Sequence, residues 1–361
     1  MDLVGPTAPG ALAHVQDLFD RIAAEAAEVD ATGVRRSTID ELAALGLLGT
    51  ALEPALQREL GERLAMADAS TWFCWVQHQS PLRVLAGDAA GLRDPVPSAL
   101  RDAYLDDLAT GRALGATAFA HVRRPGPPDP SARRTPSGWV FDGSLDWVTS
   151  WDIADVVMVM AQGEGDDAGA LVCTFLPAGR SGTTMPGVEP GEPLRLLAMS
   201  ATHTRPVRLT GVEVPDEACV VIDREAWLRA DARTTASATP AAFGVARGAI
   251  AELAGVAEQR RDTAMSDLAH DLADRCRRIR AAAYAGADAD APIEECRRLR
   301  AESLDMVMAA ATSVITARAG AAMQAGCSAE RRLREAAFLQ VQAQTAATRA
   351  AAIELQLSRA R

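Results

Sequence analysis

The chain has 361 residues, 48% of them hydrophobic and 24% charged, with a formal net charge of −11, enough for two or three domains of roughly 100–200 residues each. That acidic balance, with no basic stripe interleaved with aromatics, argues against nucleic acid as the main partner, because neutralising phosphates takes clustered cations. Lysine and asparagine are absent from the sequence, which excludes Schiff-base chemistry with pyridoxal phosphate and a P-loop lysine, and leaves arginine, histidine, hydroxyls and backbone N–H groups to hold any anion.

Residues from about 11 to 114 predict helices. ALAHVQDLFDRIAAEAAEVD repeats apolar residues at three-to-four spacing. Ser37-Thr38-Ile39-Asp40-Glu41 gives an N-cap signal ahead of LAALGLL. LQRELGERLAMADASTWFCWVQHQS reads as a third helix, with Trp72 and Trp75 on one face as either core or substrate wall, and Asp94-Pro95-Val96-Pro97 punctuates before SALRDAYLDDLATG. From Gly115 to about Val221 the pattern is strands with turns: ATAFAHV, a Pro-rich loop RRPGPPDPSARR, then GWVF, a turn at Asp142-Gly143-Ser144, and DWVTSW. ADVVMVMAQ, ALVCTFLPA and RPVRLTGVEVP follow. From about Asp223 helix returns in PAAFGVARGAIAELAGVAEQR, SDLAHDLADRCRRIRAAAYAG, PIEECRRLRAESLDMVMAAATSVITARAG and ERRLREAAFLQVQAQTAATRAAAIELQLS. The predicted class is α+β multi-domain: an N-terminal helical domain (1–114), a central β-barrel or sandwich (115–222) and a C-terminal four-helix bundle (223–361).

No uninterrupted apolar run reaches the roughly 18 residues of a membrane span, and the N-terminus lacks the basic region of a secretory signal. The sequence therefore reads as cytoplasmic, with no membrane partner. Cys74, Cys173, Cys219, Cys276, Cys296 and Cys327 are scattered without a C-x-x-C pair, as expected of reduced, mostly buried thiols. No pair of histidines has metal-ligand spacing, so no metal is expected.

Chemistry concentrates in Trp147-Val148-Thr149-Ser150-Trp151, which takes two of only six tryptophans. Period-2 alternation places Trp147, Thr149 and Trp151 on one side of a strand, either packed on a helix or forming a wall for a flat cofactor. His78 and His121 are candidates for general acid/base work, since imidazole titrates near neutrality. His203 reads as a strand-edge residue, and His14 and His270 as surface positions. Arg123, Arg124, Arg133 and Arg134 make the Pro-rich loop either a solvated loop or one that steers an anionic substrate.

The helical–β–helical order, with GRALGATAFAHVRRPG, SGWVFDGSLDWVTSWDIADVVMVMA, RPVRLTGVEVPDEACV, AFGVARGAIAEL and ERRLREAAF, resembles the acyl-CoA dehydrogenase superfamily over nearly the whole chain. The resemblance implies an FAD site. Trp147 would face the isoalloxazine ring, with Val148 beside it and Thr149 bonding near the reactive N5, while Phe119, Ala120 and His121 pass the pyrimidine edge. Arg260 or Arg261 would reach the diphosphate of a neighbouring subunit's cofactor. Gly320, in Ala319-Gly320-Ala321-Ala322, stands where the family has Gly-Gly-x-Gly. The helix carrying His78 would border the substrate cavity. The family's carboxylate base is missing: its two usual places fall on Ala343 and Thr234, with Asp231 or Glu354 as substitutes only if the alignment slips. Three activities are consistent with this pattern. One is flavin-dependent dehydrogenation of a small acyl thioester or carrier-bound metabolite with a non-standard base. Another is a monooxygenase using O2 and reduced flavin from a partner reductase, for which FMN suffices. The third is a scaffold or non-redox catalyst that has lost flavin. The resemblance also implies a homodimer or homotetramer built through the C-terminal bundle.

Overall fold

The computed structural model describes residues 2–49 and 52–360. Five helices come first: α1 (Gln16–Thr32), α2 (Arg36–Ala44), α3 (Pro54–Ala67), α4 (Ala69–Leu85) and α5 (Ser98–Ala109). The single helix expected across α3 and α4 divides at Asp68, whose backbone is extended and whose carboxylate accepts from the Thr71 N–H at 2.7 Å. The Asp-Ala-Ser-Thr run is thus a working N-cap inside a continuous apolar pattern. The cap expected at Ser37 does not form. α2 starts at Arg36 without a side-chain cap, and the Arg36 guanidinium instead reaches Asp155 of the β region at 2.6 Å.

Eight strands follow: β1 (Gly115–Ala118), β2 (Ser131–Thr135), β3 (Gly138–Val148), β4 (Val156–Gly163), β5 (Ala170–Pro177), β6 (Val188–Pro190), β7 (Arg205–Pro215) and β8 (Cys219–Asp223). They form one hydrogen-bonded sheet in the order β6-β7-β3-β2-β4-β5-β8, with β1 parallel to β4. The end of the Pro-rich loop is β2 rather than loop. The turn expected at Asp142-Gly143-Ser144 is a bulge within the single strand β3, where the register against β7 shifts between Phe141 and Gly143. Gly143 has φ +128°, and a Cβ there would lie 2.2 Å from the Asp129 carboxylate and 2.6 Å from Pro130 Cα. Only glycine admits that approach.

Alternate residues of β4 enter two cores, as pleating requires. Val157, Val159 and Ala161 join the large core shared with α1, α3 and the C-terminal helices, whereas Val156, Met158 and Met160 pack with the end of α4 and with α5.

The chain closes with α6 (Arg224–Ala236), α7 (Pro240–Arg260), α8 (Thr263–Asp288), α9 (Ile293–Arg318), α10 (Ser328–Leu339) and α11 (Ala346–Ala360). α7 to α10 form the bundle, and α11 lies along α9. The last long helix expected from sequence is broken between α10 and α11, where Ala343 takes a left-handed φ of +50°. α3 runs against α7 so closely that a Cβ on Gly244 would stand 2.2 Å from the Glu62 carbonyl oxygen. One segment, Ile293–Met323, is long and apolar enough by composition to cross a membrane, at a mean hydropathy of 1.3. Its helix α9 contacts α7, α8, α10 and α11. All six cysteines are free thiols.

Candidate functional site

Two of the expected cofactor segments meet at the rim of the sheet. After β1, residues 120–123 form a short 3-10 turn beside β3. Phe119 is half-buried there, Ala120 exposed and His121 buried. Arg124 then pairs with Asp146 at 2.5 Å, which ties this turn to the end of β3 next to Trp147. The Trp147 indole is 50% exposed, the one exposed large aromatic among the described residues.

The stretch 147–151 is not a single pleated face. β3 ends at Val148, which is wholly buried and pairs with Arg205 of β7. Ser150 takes φ +68° and its N–H donates to the Thr202 carbonyl at 2.8 Å. Trp147 therefore points to solvent, while Thr149 and Trp151 turn inward. The Thr149 hydroxyl stands 3.2 Å from that of Thr204, which is 2.9 Å from that of Thr202, so three buried hydroxyls form a chain just past the end of β3.

The two histidines differ. His78 is fully buried, accepts the Gly115 N–H on Nδ1 at 2.9 Å and donates from Nε2 to the Leu108 carbonyl at 3.0 Å. Burial pushes its pKa down to about 4, so the ring is neutral near pH 7. In place of the acid/base role expected from sequence, it joins α4 to α5 and β1, and neither nitrogen is left for a substrate proton. His121 donates from Nε2 to the Met160 carbonyl at 2.5 Å. Burial lowers its pKa as well, so it too is neutral near pH 7. Its Nδ1 has no hydrogen-bond partner among the described residues.

Three of the four loop arginines are already paired. Arg123 forks onto Asp231 at 2.7 and 2.6 Å and lies over the Phe119 and Trp227 rings, Arg124 holds Asp146, and Arg134 reaches Asp216 at 3.1 Å. With only Arg133 free of an ion pair among the described residues, the loop is poorly suited to steering. Asp231 has both oxygens on Arg123, and Glu354 is exposed on α11, so neither substitute for the missing base is a free buried carboxylate.

Sequence reasoning missed Arg300 on α9. It is 3% exposed, donating to the Ser237 carbonyl at 3.2 Å and to the Gln342 carbonyl at 2.6 Å. Those carbonyls belong to the two segments that carry Thr234 and Ala343, where the resemblance would place the base. The signal was available: Cys296, Leu299, Arg300, Ser303, Leu304 and Val307 form one buried helical stripe, and a charge on such a stripe needs a reason.

Arg261 and Gly320 lie on the C-terminal helices, at the end of α7 and just past the end of α9. Arg261 caps α7 with φ +54°, and Gly320 lies in an exposed 3-10 turn, Ala319–Met323, where a Cβ would meet no atom within 4 Å. Arg318, at the end of α9, pairs with Glu252 of α7. Gly320 lies roughly 30 Å along α9 from Arg300, at 1.5 Å per residue.

No family model matches the sequence, and no curated protein matches it. Solved structures match nearly end to end. Butyryl-CoA dehydrogenase from Megasphaera elsdenii superposes with a TM-score of 0.77 at 18% identity, over 94% of this chain and 95% of that one. A glutaryl-CoA dehydrogenase from Mycobacterium smegmatis, solved with FADH2, gives 0.73 at 17% identity over 94% of both chains. The FAD complex of PigA gives 0.72 at 15% identity, over 96% of this chain and 98% of that one. The chain therefore has the acyl-CoA dehydrogenase fold.

Proposed function

We propose that the protein is a flavin-dependent oxidoreductase of acyl-CoA dehydrogenase type, binding FAD and oxidising a small acyl thioester or related carrier-bound metabolite with a non-standard base. The observation that carries this reading is the half-exposed Trp147 indole at the sheet rim, followed in the chain by the buried Thr149 hydroxyl and tied through Arg124–Asp146 to residues 119–121. A large flat aromatic left in solvent beside a built polar wall suits a flat conjugated ligand. FAD, when bound, supplies the redox chemistry. Trp147 would face its ring, with Val148 and Thr149 supporting the end of β3 from the buried side, and Phe119, Ala120 and His121 along the ring's edge. His121, with Nε2 fixed on Met160 and Nδ1 free, is the proposed proton acceptor, and His78 positions β1 beneath it.

Arg261 and Gly320 would serve the adenosine half of a cofactor seated on another copy, as the family resemblance implies. A complete site would then need a homodimer or homotetramer. Exposed Ile353 and Leu357, one turn apart on α11, support self-association through the bundle.

A second reading is favoured by Ala343 and Thr234, neither of which can take a proton. In it the protein is a monooxygenase using O2 and reduced flavin, FAD or FMN, from a partner reductase. Anaerobic bleaching of bound flavin by substrate supports the dehydrogenase; O2 uptake only with added reduced flavin supports the monooxygenase. Protein that binds no flavin by either route sinks both.

Trp147→Ala is expected to weaken flavin binding about ten-fold or more, and Thr149→Val to weaken it less. Fluorescence titration reads both, and unchanged affinities would remove the cofactor assignment. At saturating flavin, His121→Ala should slow turnover by about 100-fold or more. Intact turnover would exclude it as the base.

A further inference from the structure

We propose that Arg300 is a receptor for a carboxylate on the substrate, so that this protein presents a cation where the fold's relatives are expected to present a proton-abstracting carboxylate. The proposal rests on the flavin reading only for what happens next to the bound anion; the binding site itself does not depend on it.

Arg300 differs from every other arginine buried to the same degree. Arg247 contacts Glu62, Glu59 and Asp2; Arg280 contacts Glu62; Arg331 lies near Asp68 and Glu335. Arg300 makes no ion pair among the described residues. Two of its nitrogens donate to the Ser237 and Gln342 carbonyls, and its buried Nε–H has no partner among the described residues. Burial and the charge of another cation, Arg123, act against its own charge, and Arg123 is itself paired with Asp231.

An unpaired charge taken out of water costs several kcal/mol. Losing the proton does not relieve it: burial and Arg123 push the Arg300 pKa down only to about 10, leaving the guanidinium charged at neutral pH. Ser237 caps the C-terminus of α6 and Gln342 follows that of α10, so two helix dipoles offset part of the cost. Dipoles orient the guanidinium, but they do not supply a counter-charge. A guanidinium held rigidly by two carbonyls, with one orphan donor, is preorganised for an oxyanion.

The anchors set the location. Gln342 precedes Ala343, and Ser237 lies three residues past Thr234, so Arg300 joins the two segments between which the base would sit. A bound carboxylate would therefore lie close to the reacting carbon rather than at the end of a long chain. The substrate class is a short acid or half-thioester of a small dicarboxylic acid. Plain fatty acyl chains are disfavoured, because a methyl group there leaves the charge buried and unanswered.

The test uses the full-length protein in isothermal titration against succinate and its neutral isostere succinamide, with flavin titrated separately. Succinate is expected to bind saturably and succinamide at least ten-fold more weakly, about 1.4 kcal/mol. Arg300→Gln should lose at least ten-fold in succinate affinity, while Arg300→Lys, which keeps the charge without the fork, should retain part of it. Should the glutamine variant fail to fold by circular dichroism, the lysine variant and the succinate–succinamide ratio decide. Wild-type protein that binds no succinate, or a folded Arg300→Gln that binds it unchanged, overturns the proposal and reduces Arg300 to a clamp on two carbonyls. Succinate binding without flavin binding would instead sink the redox reading and leave this site standing.

Discussion

Arg247→Met is expected to cost the fold about 3–5 kcal/mol, the range for breaking one partner out of a buried ion cluster. Arg247 is wholly buried on α7 and donates to Glu62 at 2.7 Å and to Asp2 at 2.8 Å, with Glu59 at 3.5 Å. Burial acts to lower its pKa, but Glu62, Asp2 and Glu59 outweigh that and hold it above the usual arginine value. The cluster reaches three parts of the molecule. Glu59 accepts from the Thr7 N–H and hydroxyl at 2.6 and 2.7 Å, and Glu62 accepts from Arg280 of α8 at 3.0 Å and from the Tyr284 hydroxyl at 2.8 Å. Removing the arginine leaves two carboxylates short of charge at the α3–α7 crossing that Gly244 keeps tight, and frees the N-terminal segment. Urea denaturation should show the loss, and limited proteolysis should show earlier cutting before α1. Arg247→Met combined with Glu62→Gln should recover part of the loss, since removing both charges is cheaper than stranding one. A loss under about 1 kcal/mol in the single variant would mean that Arg280 and Arg63 already satisfy these carboxylates.

The three-part order was readable because the apolar period changes twice, from helical to alternating near Gly115 and back near Asp223. What local pattern could not reveal is where tertiary contacts cut or fuse elements. Nothing in VQAQTAATR forbids helix, yet α10 stops before it, with Arg300 drawing on the Gln342 carbonyl and Gln340 reaching the Leu304 carbonyl at 3.0 Å. Asp142-Gly143-Ser144 has turn chemistry, yet pairing with β7 on both sides keeps the strand continuous and turns the glycine into a bulge. Asp68 is the opposite case: its cap signal was present but masked by unbroken helical periodicity.

The site shows the same division. The concentration of tryptophan marked residues 147–151, and the structure separates them by exposure, Trp147 outward and Trp151 against Gly179. A histidine's residue type does not reveal its partners. His78 and His121 look equivalent as letters, yet one has both nitrogens on backbone groups and the other only one. Arg300 was hidden among Arg297 and Arg298, and only its place on the apolar stripe of α9 distinguishes it from two arginines that face glutamates at the helix surface.

Glu335→Gln should stabilise the protein, by an amount that grows with pH. Glu335 on α10 is buried beneath the start of α4, with the Ala69 N–H at 3.4 Å from Oε1 and no partner for Oε2. Burial pushes its pKa up to about 7; Arg331 and Arg332 oppose the shift and Asp68 adds to it. Arg331 lies 3.9 Å from Glu335 and 3.8 Å from Asp68, too far for a hydrogen bond to either. Below the ordinary glutamate value of 4.5 the carboxyl is protonated in both folded and unfolded chains. As pH rises from there to about 7, the unfolded chain releases the proton while the folded chain keeps it. Stability therefore falls through that window by about 1.4 kcal/mol per pH unit, about 3 kcal/mol in all, and is flat above it. Glutamine has the same shape and cannot ionise, so the variant escapes this loss. The difference between variant and wild type should be near zero at the acidic end of the window and reach about 3 kcal/mol near pH 8. Urea midpoints at both ends measure it, and parallel stability profiles would show that the Glu335 proton leaves at an ordinary value. His78 tilts the profile the other way, because a ring whose pKa is pushed down to about 4 loses its contribution as pH falls through the range below 6.5. That contribution is common to both proteins, so it cancels in the comparison and leaves the slope of the difference to Glu335 alone.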